Sequence, residues 1–84
     1  MVAVRLSPEA VRQFRRLPRA IRGRVDRMLK RLEHWPQVSG AKPLTGNLAG
    51  WYRLRTGDYR LRFCMQAETI LVDKIGHRSE FYED

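Results

Sequence analysis

Two alternating runs around a tight turn constrain this chain more than any other feature. Trp51-Tyr52-Arg53-Leu54-Arg55 and Tyr59-Arg60-Leu61-Arg62-Phe63 flank Thr56-Gly57-Asp58. Successive side chains of a β-strand point to opposite faces. The pattern therefore predicts an antiparallel hairpin. Tyr52, Leu54, Tyr59, Leu61 and Phe63 fall on one face, and Trp51, Arg53, Arg55, Arg60 and Arg62 on the other. The apolar face needs a cover, because a lone hairpin is marginally stable in water. The basic face has the opposite problem. Like charges directly across a hairpin repel, so it needs acidic neighbours or the phosphates of a ligand. Arginines with an aromatic on one sheet face suit single-stranded RNA, through phosphate contacts and base stacking.

The cover comes from upstream. Val2 to Leu6 alternates loosely and reads as a first strand. Ser7-Pro8-Glu9 then supplies an N-cap, a first-turn proline and an acid at the positive helix end. A helix from Pro8 to about Leu17 puts Val11, Phe14 and Leu17 on one face. Pro18 separates it from a second helix, in which Ile21, Val25, Met28, Leu29 and Leu32 recur at helical spacing. Arg22, Arg24, Arg27, Lys30 and Arg31 lie off that stripe, so residues 8–34 read as a helical hairpin with a basic outer face. Trp35-Pro36 closes it, and residues 36–49 read as a long loop. Thr69 to Ile75 is the last strand, with Gln66-Ala67-Glu68 turning into it. The expected fold is α+β, in the order β-α-α-β-β-β. It is a mostly antiparallel four-stranded sheet with a two-helix hairpin packed on one face. At 84 residues this is one domain, spanning 1–84.

Charge narrows the partners. There are 17 Lys and Arg against nine Asp and Glu, a formal charge of +8. Residues 1–42 hold eleven cations and three acids, and so carry all of the excess. Such a surface suits nucleic acid or an acidic protein. Arginine dominates, and its planar fork fits phosphate. No apolar run approaches the ~20 residues that span a bilayer, and the N-terminus lacks the apolar core of a signal peptide. Cys64 is the one cysteine, so no internal disulfide is expected and a reducing, cytoplasmic setting is. His34 and His77 add too little for a zinc site, and no metal or other cofactor is expected.

The segment Tyr52-Arg53-Leu54-Arg55-Thr56-Gly57-Asp58-Tyr59-Arg60-Leu61 resembles the Y-R-[IL]-R-x-G-x-Y-R signature of the RelE/ParE toxin superfamily. Ile75-Gly76-His77-Arg78-Ser79-Glu80-Phe81-Tyr82 is similar to its I-G-[HK]-R-x-x-[VF]-Y close, and Lys42-Pro43-Leu44-Thr45-Gly46 to its K-x-L-x-G stretch. The three occur in the family's order and span nearly the whole chain. The resemblance implies the toxin of a type II toxin–antitoxin pair, with a cognate antitoxin as partner. Its RelE branch cleaves mRNA in the ribosomal A site, beside 16S rRNA, whereas its ParE branch poisons DNA gyrase. Carried over motif by motif, the RelE-type catalytic set falls on Arg53, Arg60, Arg78 and Tyr82, and favours the nuclease.

The implied chemistry fits those residue types. A 2′-hydroxyl attacks the adjacent phosphorus, and negative charge gathers on the phosphorane. Positioned guanidinium groups stabilise that charge. Arginine is a poor base, whereas histidine ordinarily titrates near neutrality. His77 is therefore a candidate general base or acid, beside Tyr82, which can stack on a base, orient the 2′-hydroxyl or transfer a proton. Arg55, Arg62, Trp51 and Lys74 are expected to bind RNA, and Asp58 and Asp73 to pair with nearby arginines.

Overall fold

The computed structural model describes residues 1–81. Tyr82, one of the expected site residues, lies outside the described residues. The elements are β1 (Ala3–Leu6), α1 (Pro8–Arg16), α2 (Arg19–Arg31), β2 (Lys42–Pro43), β3 (Trp51–Thr56), β4 (Tyr59–Gln66) and β5 (Thr69–His77). The strands form one sheet in the order β1-β5-β4-β3-β2. β1 lies parallel to β5, and the other neighbours are antiparallel.

The helices form for the reasons the sequence suggests. Ser7 Oγ accepts from Ala10 N–H at 3.1 Å, and Pro8 occupies the first turn, where its missing N–H costs nothing. Leu17 precedes a proline, which disfavours helical backbone, so α1 ends there with Leu17 extended. Pro18 then opens α2. The apolar stripe of α2 (Val25, Met28) and Leu32 just beyond it are buried with Ala10 and Leu17 against Leu54, Leu61, Phe63, Ile70, Val72 and Ile75 of the sheet. Tyr52 stacks on Phe63 with centroids 5.5 Å apart, and Trp35 meets both edge-on. The hairpin's apolar face is thus the floor of the core, as the alternation predicts.

Three details differ from expectation. The sheet has five strands, because Lys42 and Pro43 inside the expected loop pair with Arg53 and Tyr52. A two-residue strand carries no readable period, and its proline is tolerated at a sheet edge. The last two strands extend past Phe63 and Ile75, to Gln66 and His77. Finally, α2 stops at Arg31 and a single 3-10 turn, Leu32–His34, completes the helical stretch.

β5 also carries a bulge. Arg62 pairs with Lys74 and Phe63 with Val72, so Asp73 has no partner of its own on β4. Such an extra residue re-aims a side chain. Among the described residues, no helix is long and apolar enough to cross a membrane.

Candidate functional site

Residues directly opposite in an antiparallel pair share a face. The register Arg53↔Arg62, Arg55↔Arg60 and Trp51↔Cys64 therefore puts four arginines and Trp51 on the side away from the helices. One row crosses four strands as Lys42, Arg53, Arg62 and Lys74. Four cations about 4.8 Å apart from strand to strand would repel strongly without compensation. The bulge supplies part of it: Asp73 accepts from Arg62 Nε at 3.0 Å and from Arg62 Nη2 at 2.8 Å. The Arg62 guanidinium also lies 5.5 Å from the centroid of the Trp51 ring.

The next row is Arg55, Arg60 and Gly76. Arg53 and Arg60 are diagonal neighbours in this lattice, and they are 9% and 8% exposed. Guanidinium groups so enclosed are held by their surroundings, whereas Arg55 is exposed. Lys74 is engaged with the end of the chain. Its Nζ donates to the Glu80 carbonyl oxygen and lies 4.7 Å from the Phe81 ring centroid.

Arg78 begins a 3-10 turn, Arg78–Glu80, directly after β5. Its N–H donates to the Asp58 carbonyl oxygen at 2.7 Å. Its Nε stands 3.9 Å from Asp58 Oδ1, a loose and exposed ion pair. Both expected carboxylate partners, Asp58 and Asp73, thus meet an arginine.

His77 does not join the arginines. It sits opposite Tyr59, whose ring it meets edge-on at 5.4 Å, on the helix side of the sheet. A small pocket there is lined by His77, Tyr59, Arg16, Leu17 and Pro18. The sheet separates its imidazole from Arg53 and Arg60. His77 and Arg78 are neighbours in sequence but straddle the end of a strand, so their side chains part.

The sequence reading left out Lys42, which extends the cation row on β2. The K-x-L-x-G stretch was the available signal. Lys42 also lines a cleft of about 540 Å³ with Arg31, Arg53 and Arg55 at the open edge of β3. An adjoining cleft of about 520 Å³ shares Arg31 and Arg55, and adds Arg24 and Arg27 of α2. Among the described residues, neither cleft has an acidic lining residue. Cys64 beneath the face is a poor nucleophile, because burial, and secondarily the negative charge of Asp73, raises its thiol pKa. Among the described residues, no group of three His, Cys, Asp or Glu side chains is placed to hold a metal ion.

No curated protein matches the chain. Several solved structures do. The toxin–antitoxin complex RelBE2 of Mycobacterium tuberculosis aligns with TM-score 0.79 and 31% identity, covering 93% of this chain and 92% of that one. The RelE–RelB complex of Pyrococcus horikoshii aligns with TM-score 0.71 and 26% identity over 92% and 94% of the two chains. The isolated Escherichia coli RelE toxin shares the fold, with TM-score 0.77 at 17% identity over 92% and 84%. Residues 4–82 match the family described as the ParE toxin of type II toxin–antitoxin system, parDE. On this match and the shared fold, the chain belongs to the RelE/ParE superfamily of type II toxins.

Proposed function

We propose that this toxin is a ribosome-dependent endoribonuclease that cuts mRNA in the A site. The observation that carries the reading is the enclosure of Arg53 and Arg60, 9% and 8% exposed, on the basic sheet face. Cations that merely solubilise a surface extend into water. Diagonal neighbours on a sheet stand about 7–8 Å apart, so two long side chains held there can converge on one phosphate.

In this mechanism the 2′-hydroxyl attacks the adjacent phosphorus, and the 5′-oxygen leaves. A 2′,3′-cyclic phosphate and a 5′-hydroxyl remain. Arg53 holds the scissile phosphate, while Arg60 and Arg78 stabilise the phosphorane. Fixed cations need no reorganisation as the charge develops. Tyr82 enters from the family pattern, as the group that orients the nucleotide. Trp51, backed by Arg62, offers a ring on which a base can stack. The ribosome supplies orientation of the strand, which a site without a strong base needs most. The clefts lined by Arg24, Arg27, Arg31, Lys42 and Arg55 then dock on ribosomal RNA phosphates, with steep salt dependence. This places the toxin's work in the cytoplasm. The antitoxin is an acidic partner that covers the same cations.

Primer extension on mRNA, after induction of the toxin alone, tests the reading. Cuts inside codons that require translating ribosomes are expected. Arg60→Ala and Arg78→Ala should each lower cutting by about 10²-fold, as loss of one transition-state donor does. Growth arrest with intact mRNA would refute the nuclease. The alternative, a gyrase poison, is what the ParE branch of the resemblance implies, and residues 4–82 match a ParE toxin family. A supercoiling assay then decides it.

A further inference from the structure

We propose that His77 is a positioning residue for Arg78. Its imidazole caps the short turn that carries Arg78 and takes no part in proton transfer. The link to catalysis rests on the nuclease reading, but the cap itself does not.

The ring is on the wrong side of the sheet for chemistry at Arg53 and Arg60, yet its Nδ1 is engaged where it is. His77 Nδ1 accepts from the Ser79 backbone N–H at 3.1 Å and lies 2.9 Å from Ser79 Oγ. A backbone N–H can only donate, so Nδ1 carries the lone pair and the ring proton sits on Nε2. In return, Glu80 Oε1 accepts from the His77 N–H at 3.0 Å. This reciprocal pair is a capping box, here with histidine in the place that Ser or Thr usually fills. It satisfies backbone donors where β5 ends, at His77 opposite Tyr59.

The capped turn starts at Arg78. Three further contacts fix it: Arg78 N–H to the Asp58 carbonyl oxygen, Lys74 Nζ to the Glu80 carbonyl oxygen, and packing of Glu80 over Gly76. A Cβ at Gly76 would stand 2.3 Å from Glu80 Oε1. Glycine there lets the carboxylate reach the His77 N–H. Without the imidazole, the Ser79 N–H loses its acceptor, and the turn is left to the contacts through Asp58, Lys74 and Glu80.

The test compares wild type with His77→Ala and His77→Asn. Asparagine is a strong N-cap, because its side-chain oxygen accepts from the same backbone donor, and it cannot relay a proton as imidazole does. Amide hydrogen exchange at Ser79 should speed up about fivefold in His77→Ala, the usual worth of an N-cap, and return towards wild type in His77→Asn. Ring ¹⁵N shifts of the wild type should show an unprotonated Nδ1 and a protonated Nε2. In a translation reaction, His77→Ala should cut mRNA more slowly and His77→Asn should recover most of the loss. Unchanged Ser79 exchange in His77→Ala would overturn the proposal. So would a His77→Asn variant that regains Ser79 protection but cuts no faster than His77→Ala, the pattern of a general acid or base. If the wild type itself leaves mRNA intact, the nuclease reading falls, and Ser79 exchange alone decides the cap.

Discussion

Asp73→Asn should destabilise the toxin in a salt-dependent way. The Asp73 carboxylate faces Arg62 fork to fork at 3.0 and 2.8 Å, with side chains 18% and 24% exposed for Arg62 and Asp73. Truncating a fully buried pair costs about 3–5 kcal/mol, and an exposed pair contributes at most about 1 kcal/mol. Exposure near one fifth puts this case between them, at about 2 kcal/mol. For a domain of this size that lowers Tm by roughly 8–16 °C. Losing the carboxylate leaves Arg62 flanked in its row by Arg53 and Lys74, so much of the cost is repulsion. Raising NaCl from about 0.05 M to 0.5 M shortens the screening length severalfold and should recover part of the lost Tm. Asp26→Asn is the control, since its 3.4 Å pair with Lys30 lies along an exposed helix face and should cost under about 0.5 kcal/mol. Thermal unfolding followed by circular dichroism reads both. Equal losses in the two variants, or a loss in Asp73→Asn that salt leaves unchanged, would refute the argument.

Gly76→Ala should cost about 1 kcal/mol by pushing Glu80 off the His77 N–H. In Gly76→Ala/Glu80→Ala the alanine meets nothing closer than Phe81 Cε1 at 3.9 Å, so the double variant should lose little more than Glu80→Ala, a coupling that denaturant titration of the four proteins measures. Gln13→Ala removes the side-chain oxygen that accepts from the Ile75 N–H at 2.8 Å; a loss of about 1–3 kcal/mol and faster exchange at Ile75 are expected. The Cys64 thiol is pushed up by burial, so it is protonated at neutral pH, and alkylation should be slow there and accelerate only as pH rises above the usual thiol range. Rapid labelling at pH 7 in the folded protein would contradict that environment.

The sequence revealed most where a period met a consequence. The alternation in residues 51–63 placed every core and face residue of the hairpin correctly, because a slip of one position would have buried arginines. The helices were equally legible, since Ser7, Pro8 and Pro18 mark their ends by backbone chemistry. What stayed hidden depended on pairing rather than pattern. β2 is too short to show a period. The bulge at Asp73 exists only relative to β4, and it decides that the arginine Asp73 meets is Arg62. Likewise, motif order grouped His77 with Arg78, although the end of β5 sends the two side chains to different surroundings.

The parallel pairing of β1 with β5 has a consequence for the order of events in synthesis. Ala3 lies beside Thr69 and Leu6 beside Val72, so the first strand made waits for the last. β5 also occupies an interior position in the sheet, between β1 and β4. Until it emerges, the helices have only part of a floor, and the turn that carries Arg78 does not exist. Contacts of such long sequence separation form late and slow folding. The parallel strand pair, the finished floor of the core and the turn that carries Arg78 are therefore the last parts of this fold to form.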